Sequence, residues 1–164
     1  MIKRIFFLSI VVISLGACIK RSDTCPYTDS NYSAPASEIT ALQNWLNSHG
    51  VTATQHSSGI FYIVTAPGSG ATASVCSNVT VKYTGTLLDN SQFDQNLTGY
   101  TSILGGLILG WQKGLPLIKA GGSITLYIPP SLGYGSQDTR DNNGVVVIPA
   151  NSNLKFTIDL VSVQ

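Results

Sequence analysis

The chain has 164 residues, of which 43% are hydrophobic, so it can bury the core of one sizeable domain. Sixteen glycines and a charged fraction of only 10% favour a turn-rich domain with β-strands and argue against a helical bundle or a disordered chain. Nine basic and eight acidic residues are nearly balanced, and no basic stripe predicts a nucleic-acid partner.

The first residues have the pattern of an export signal. Lys3 and Arg4 precede an apolar run over residues 5–15 that is too short to span a bilayer well. The run ends in Leu15-Gly16-Ala17-Cys18, which resembles the lipobox of bacterial lipoproteins. The pattern predicts a signal peptide over residues 1–17, a lipidated Cys18, and a lipid anchor in the cell envelope on the periplasmic face of the outer membrane. A plain secretory signal with an incidental Cys18 is the alternative.

Residues 18–35 are polar and rich in turn formers, which is typical of a tether between an anchor and a domain. Residues 36–58 are predicted to form an N-terminal helix and a linker. Ser33 or Ser37 would cap this helix, and Gly50 would stop it. The apolar residues that share one helix face are Ile39, Leu42, Trp45 and Leu46. We expect Trp45 to pack on the domain surface, with a dimer contact as the alternative.

Two cysteines remain if Cys18 carries lipid, and export would place them where disulfides persist. A bridge between Cys25 and Cys76 would attach the N-terminal segment to the domain. Two separate thiols are the alternative, because the sequence does not show whether the two Cα atoms lie within about 7 Å of each other.

The remaining residues alternate between strand and turn signals. Alternating apolar residues predict strands over residues 59–66, from residue 75 to the turn at Asp89-Asn90, and over residues 101–104, 124–128 and 154–160. The polar residues 95–100 and 135–144 are predicted to be loops. Apolar residues at helical spacing predict a short helix, and they are Leu107, Ile108, Trp111, Leu115 and Ile118. Several strands and one internal helix predict an α+β domain, an antiparallel sheet with a helix on one face.

The sequence lacks the residues that most catalytic chemistries need. His49 and His56 both precede the predicted domain, so no serine or threonine in it has an evident base. Neither a cluster of zinc ligands nor a glycine motif for nucleotide phosphates occurs, so no metal and no cofactor is predicted. Asp94 has no evident second carboxylate for acid–base hydrolysis. What remains is an aromatic set suited to binding and distorting a ligand, namely Tyr83, Phe93, Tyr100, Trp111, Tyr134 and Phe156.

Four motifs are similar to those of the FKBP family of peptidyl-prolyl cis–trans isomerases. The first, VKYTGTLLDNSQFD at residues 81–94, resembles V-x-Y-x-G-x-L-x-D/N-G-x-x-F-D. The others are LILGW at residues 107–111, IPPSLGYG at residues 128–135 and IPANSNLKF at residues 148–156. Their order matches that of the family, and the resemblance extends over residues 59–164, which we predict to be the isomerase domain.

The resemblance implies a twisted antiparallel sheet wrapped over a short central helix, preceded here by an N-terminal helical extension. A prolyl pocket would lie between sheet and helix, with Asp94, Tyr134 and Tyr83 as its catalytic residues. Trp111 would form the floor, and the Tyr134 hydroxyl and the Ile108 backbone N–H would donate hydrogen bonds to a substrate carbonyl. The implied substrate-binding residues are Phe93, Tyr100, Leu107, Ile108, Trp111, Val147, Ile148 and Phe156.

The expected function is therefore isomerisation of Xaa-Pro bonds in exported proteins. Proline-containing polypeptides would be substrates, macrolides of the FKBP-inhibitor type would be ligands, and the protein would act as a monomer. A non-catalytic binding or chaperone module of the envelope, or an envelope scaffold, is the alternative. No arginine that would pair with Asp94 is evident between Gln95 and Tyr100, so Asp94 has another partner or is only a satisfied turn carboxylate.

Overall fold

A computed structural model describes residues 25–164 of the chain. The predicted signal peptide over residues 1–17 and the predicted lipidation site at Cys18 lie outside the described residues. Among the residues that are described, no helix is long and apolar enough to cross a membrane.

The described residues form two antiparallel sheets. The larger sheet has six strands in the order β1-β2-β5-β8-β3-β4, and the smaller one pairs β6 with β7. The strands are β1 Thr54–Gln55, β2 Phe61–Ala66, β3 Asn78–Leu87, β4 Gln92–Ile103, β5 Gly122–Ile128, β6 Thr139–Arg140, β7 Val146–Ile148 and β8 Leu154–Val163. The strictly alternating segment at the C-terminus became β8, which lies inside the larger sheet between β5 and β3. The predicted α+β class is confirmed.

The central helix α2, Leu109–Gly114, packs on one face of the larger sheet, called the inner face below. Pro116 follows in a 3-10 turn, Leu115–Leu117, and keeps the helix shorter than its apolar pattern. Gly110 and Gly114 lie against β5: a Cβ atom on them would come within 2.5 Å of Ile128 and 2.4 Å of Leu126. Glycine at both positions therefore lets α2 approach the sheet more closely than any larger residue would.

The N-terminal helix α1, Ala36–Ser48, packs on the opposite, outer face of the sheet. Leu42 and Leu46 are buried there against Phe61 and Tyr127, and these four residues are called the outer cluster below. Phe61 and Tyr127 are paired across β2 and β5, and their strand neighbours point to the inner face because side chains alternate along a strand. Trp45 packs beside Tyr127 with ring centroids 6.4 Å apart, so its predicted place on the domain surface is confirmed.

The predicted serine cap of α1 is wrong. Pro35 occupies the N-cap position, and no side chain caps the helix there. The backbone carbonyl of Pro35 accepts hydrogen bonds from the N–H groups of Glu38 and Ile39. The Glu38 carboxylate instead accepts the backbone N–H of Ser131, which ties the start of α1 to the loop after β5.

The predicted loop over residues 95–100 is also wrong, because β4 runs unbroken from Gln92 to Ile103. The pairing with β3 shifts within this strand: Val81 pairs with Tyr100, whereas Tyr83 pairs with Asn96. The Asn96 side chain accepts the N–H groups of Thr98 and Gly99, so the extra residues form a bulge. Pairing with a distant strand has overridden the local turn-forming tendency of this polar segment.

The polar residues 135–144 are not wholly loop either. β6 lies among them and pairs with β7 in a small hairpin. The Asp141 carboxylate accepts the backbone N–H groups of Asn143 and Val145, each at 2.9 Å, which closes the hairpin turn. The strand predicted from residue 75 begins three residues later, at Asn78.

Residues 25–35, part of the predicted tether, are attached to the domain at several points. Cys25 and Cys76 form a disulfide with Cα atoms 5.6 Å apart. Lys113 of α2 forms an ion pair with Asp29, with an Nζ–Oδ1 distance of 2.6 Å. The backbone N–H of Ala34 donates to the carbonyl of Ser58 at 2.9 Å.

Candidate active site

A cavity of about 290 Å³ opens between the inner face of the sheet and the start of α2. Eight of the predicted site residues line it together with one that was not predicted, Gly106. The lining residues are Tyr83, Asp94, Tyr100, Gly106, Leu107, Ile108, Trp111, Tyr134 and Phe156. Residues more than 70 positions apart in the chain are thus brought to one surface.

The floor of the cavity is a cluster of aromatic rings around Trp111, which is only 4% exposed. Tyr83 and Phe156 meet the indole edge to face, with ring centroids 5.0 and 5.2 Å away. Edge-to-face pairs of this kind contribute about 0.5–1.5 kcal/mol each beyond the area they bury. The Trp111 ring is therefore held in one orientation before any ligand arrives. The indole Nε1 is buried and has no hydrogen-bond partner among the described residues.

Asp94 and Tyr83 form the polar pair of the cavity. The Tyr83 hydroxyl donates a hydrogen bond of 2.7 Å to Oδ2 of Asp94. Burial raises the pKa of Tyr83 well above its ordinary value, and the hydrogen bond to the Asp94 carboxylate raises it further. Asp94 thus has a tyrosine as its partner, and no arginine occurs between Gln95 and Tyr100.

Tyr134 lies where the cavity meets solvent and keeps 42% of its surface exposed. Its ring packs edge to face on Phe93, with centroids 6.4 Å apart. Burial raises the pKa of the Tyr134 hydroxyl, and the negative charge of Asp94 adds to the effect. The hydroxyl therefore stays protonated at and above neutral pH and remains a hydrogen-bond donor.

One wall of the cavity is formed by the residues that lead into α2. Gly106, Leu107 and Ile108 lead into α2, and Ile108 occupies the N-cap position of that helix. The Ile108 N–H makes no hydrogen bond to another described residue. Gln112, 8% exposed, donates from its amide to the carbonyls of Gly105 and Leu107 at 3.1 and 2.7 Å. Gln112 was not among the predicted site residues, and in a helix that also contains Lys113 its polar side chain gives no specific signal for this role.

Three predicted substrate-binding residues do not line the cavity. Phe93 packs edge to face on Phe156, with ring centroids 5.5 Å apart, and so supports the cavity from behind. Ile148 is buried in the inner core, and Val147 packs against that core. Both belong to β7, whose pairing with β6 holds them in the small hairpin.

The site offers surface, hydroxyl groups and a free backbone donor, but little for breaking bonds. In residues 25–164 no group of three or more His, Cys, Asp or Glu side chains could hold a metal ion. The residues that line the cavity contribute aromatic rings, aliphatic side chains, three tyrosine hydroxyls and the carboxylate of Asp94. This arrangement suits a reaction that changes the conformation of an apolar ligand.

The family model for FKBP-type peptidyl-prolyl cis-trans isomerases matches residues 70–161, more than half of the chain. This chain belongs to that family. The protein is similar to the FKBP-type peptidyl-prolyl cis-trans isomerase FkpA of Buchnera aphidicola subsp. Schizaphis graminum, with 42% identity over 112 residues, which are 66% of this chain and 42% of FkpA. The chain thus spans less than half the length of the curated relatives it matches.

Solved structures of this family share the fold. The crystal structure of FkpA from Escherichia coli superposes with a TM-score of 0.66 at 34% identity, covering 79% of this chain and 60% of that one. A peptidyl-prolyl cis-trans isomerase from Pseudomonas syringae superposes with a TM-score of 0.67 at 26% identity, covering 80% of this chain and 98% of that one. The FKBP-like fold predicted from the motifs is therefore confirmed.

In this FKBP-family chain all four motifs contribute to the cavity. The first supplies Tyr83 and Asp94 from β3 and β4, and the second supplies Trp111 from α2. The third supplies Tyr134 from the loop after β5, and the fourth supplies Phe156 from β8. Gly106 and Gln112 lie outside the residue types that the motifs specify, and only the structure shows their place in the wall.

Proposed function

We propose that this protein accelerates rotation about Xaa-Pro bonds in polypeptides, with the proline bound over Trp111. The observation that supports this most directly is the cavity itself, in which a rigid aromatic floor and a mainly apolar lining surround a single carboxylate, that of Asp94.

The reaction needs no nucleophile, because no covalent bond is made or broken. Rotation about an Xaa-Pro bond takes tens to hundreds of seconds unaided, since it must disrupt amide resonance across a barrier of about 20 kcal/mol. A twisted amide has lost that resonance and is less polar than the planar one, so an apolar cavity disfavours it less. Groups that bind the twisted form better than either planar form lower the barrier by that difference.

In this proposal the polar groups of the cavity hold the substrate while its amide rotates. The Tyr134 hydroxyl and the Ile108 N–H donate hydrogen bonds to carbonyls that flank the proline. Asp94, held by the Tyr83 hydroxyl at 2.7 Å, places a negative charge beside the carbonyl carbon that leaves conjugation. Tyr100, Leu107, Ile108 and Phe156 bind the apolar parts of the substrate.

A protease-coupled isomerisation assay tests this function directly. Peptides of the Ala-Leu-Pro and Ala-Phe-Pro types are converted to trans in the presence of the mature protein, and the rate is compared with that of the same protein unfolded in urea. Acceleration by the folded protein, inhibited by a macrolide of the FKBP-inhibitor type, is the expected result. Binding of the peptide without acceleration would show a binding or chaperone module instead, and would overturn the catalytic proposal.

We also propose a lipid-anchored organisation for the whole protein. Residues 1–17 would be removed as a signal peptide, Cys18 would carry the lipid, and the residues before Cys25 would connect the anchor to the domain. The expected place is the periplasmic face of the outer membrane, where exported proteins would be the substrates. Cys18→Ser should release the protein from the membrane fraction of cells. Persistent membrane association of the Cys18→Ser protein would contradict the anchor.

A further inference from the structure

The segment over residues 25–34 contacts the residues that lead into α2 and form one wall of the cavity, and it is attached to the domain at several points. The disulfide to Cys76 holds its start, and the ion pair between Asp29 and Lys113 holds its middle. Lys113 also donates to the carbonyl of Ser30. Lys113 lies on α2, two residues after Trp111, so this segment is attached to the same helix that carries the cavity floor.

Tyr27 of this segment lies directly against the wall. A Cβ atom on Gly105 would come within 2.3 Å of Cγ and 2.5 Å of Cβ of Tyr27. A Cβ atom on Gly106 would lie 3.1 Å from the Tyr27 hydroxyl oxygen. Only glycine at position 105 leaves room for the ring in this contact. Gly106 lines the cavity, whereas Tyr27 does not, so the ring supports the wall from outside.

The other side of the wall is held by Gln112. Its amide donates to the carbonyls of Gly105 and Leu107, and the Gly105 N–H donates at 2.7 Å to the carbonyl of Val75, next to Cys76. Two consecutive glycines would otherwise leave this backbone more conformational freedom than any other pair of residues. The wall is therefore fixed between Gln112 on one side and Tyr27 on the other.

We propose that Tyr27 is a positioning residue, whose ring holds residues 105–108 so that the Ile108 N–H meets the substrate carbonyl. The proposal rests on the proposed isomerase function. A hydrogen-bond donor that is already in place when the amide begins to rotate stabilises the transition state fully. A mobile donor must first be ordered, and the free energy needed for ordering reduces that stabilisation. The N-terminal segment thus takes part in the site although it contributes no surface to the cavity.

The test uses the full mature protein with Tyr27→Ala, Tyr27→Phe and, as a matched control, Tyr32→Ala. Tyr32 lies in the same segment, is 46% exposed and does not line the cavity. Tyr27→Ala should lower kcat/KM about five- to tenfold, mainly through kcat, because the wall donor is misplaced. Tyr27→Phe keeps the ring and should stay within about twofold of the unchanged protein, as should Tyr32→Ala.

A second measurement reports the wall itself. The backbone amide NMR signals of Gly106, Leu107 and Ile108 should shift, and their hydrogen exchange should accelerate, in Tyr27→Ala but not in Tyr32→Ala. A double variant, Cys25→Ser with Cys76→Ser, retains Tyr27 but loosens its attachment. It should change the same three amides in the same direction, with a smaller fall in kcat/KM.

The outcomes separate this proposal from the proposed function. If the unchanged protein accelerates no isomerisation, the proposed function fails, and the amide signals alone decide whether Tyr27 holds the wall. If the unchanged protein is active and Tyr27→Ala, melting well above the assay temperature, keeps both its kcat/KM and its wall amide signals, the positioning proposal is overturned. A fall in thermal stability with unchanged kcat/KM would show a merely structural residue and would overturn it equally.

Discussion

The two faces of the larger sheet are formed by the same strands, but one face carries a packed core and the other carries the cavity. On the outer face, α1 closes over Phe61 and Tyr127 with Leu42 and Leu46, and apolar side chains fill the space between helix and sheet. On the inner face, α2 is only about half as long as α1 and carries Trp111. The aromatic rings around Trp111 line a cavity of about 290 Å³. The neighbouring β5 residues Leu126 and Tyr127 lie on the inner and the outer face, respectively.

The difference shows where binding surface comes from in a small domain. A face that is filled by packing contributes stability and leaves nothing for a ligand. The inner face keeps its rings rigid through edge-to-face contacts among themselves, so that one side of the cluster remains open without collapsing. Substitutions should therefore affect stability on the outer face and turnover on the inner face.

Removal of a buried side chain from the outer cluster should change the stability of the protein most. Leu46→Ala should lower the free energy of unfolding by about 2–5 kcal/mol, because Leu46 is fully buried and its removal leaves a cavity. Urea unfolding followed by circular dichroism measures this change. The kcat/KM of the variant, assayed well below its melting temperature, should equal that of the unchanged protein. A large fall in kcat/KM would show that the two faces are coupled and would contradict the prediction.

The disulfide should stabilise the domain although neither cysteine belongs to the outer cluster or lines the cavity. Cys25 and Cys76 are separated by 51 positions, and closing a loop of that length stabilises the folded chain by up to about 4 kcal/mol in the chain-entropy treatment. The measurement is the urea midpoint of the unchanged protein with and without a reductant. The Cys25→Ser, Cys76→Ser protein should be insensitive to the reductant and should unfold at the lower midpoint in both conditions. Equal midpoints for all samples would contradict the prediction.

On the inner face the polar groups should affect turnover more than stability. Asp94→Ala and Tyr134→Phe should each lower kcat/KM about tenfold, equivalent to about 1.4 kcal/mol of transition-state stabilisation. Both side chains are partly exposed, so the free energy of unfolding should change by less than about 1 kcal/mol. Tyr32→Phe, which removes a hydroxyl outside the cavity, is the matched control for Tyr134→Phe. Unchanged kcat/KM in both variants would mean that these residues do not have the proposed roles.

Alkaline pH should change the free energy of unfolding least, through buried tyrosines on both faces of the sheet. Burial raises the pKa of Tyr127 on the outer face and of Tyr83 and Tyr134 on the inner face, so the folded protein keeps protons that the unfolded chain releases. Stability is therefore fully present below a pH of about 10, the ordinary tyrosine pKa, and falls as the pH rises beyond it.

Tyr127→Phe should remove part of this alkaline loss of stability, and kcat/KM should stay unchanged. In the unchanged protein, turnover should not vary with tyrosine ionisation between about pH 6 and pH 9, because the Tyr83 and Tyr134 hydroxyls remain protonated there. Urea unfolding at several pH values and a pH profile of kcat/KM check the two statements. A tyrosine-like titration of turnover below pH 9 would contradict the second.

Elements with local signals were predictable from the sequence. The alternation in residues 154–160 predicted β8, the apolar run before Pro129 predicted β5, and the motif residues Tyr83, Asp94, Trp111, Tyr134 and Phe156 all line the cavity. The spacing of apolar residues indicates which side of a strand or helix is buried, and this spacing is visible in a short stretch of sequence.

Other features form only through contacts between residues that are far apart in the sequence, so local patterns do not predict them. The polar residues 95–100 became part of β4 because β3 pairs with them. Phe61 lies in a second core because α1 covers the outer face of the sheet. Phe93 does not line the cavity because it packs on Phe156. Val147 and Ile148 do not line it because they pack against the inner core from the β6-β7 hairpin. Tyr27 lies against Gly105 across 78 positions of sequence, and no local pattern announces such a contact, because the free energy that favours it comes from the packing of the whole domain.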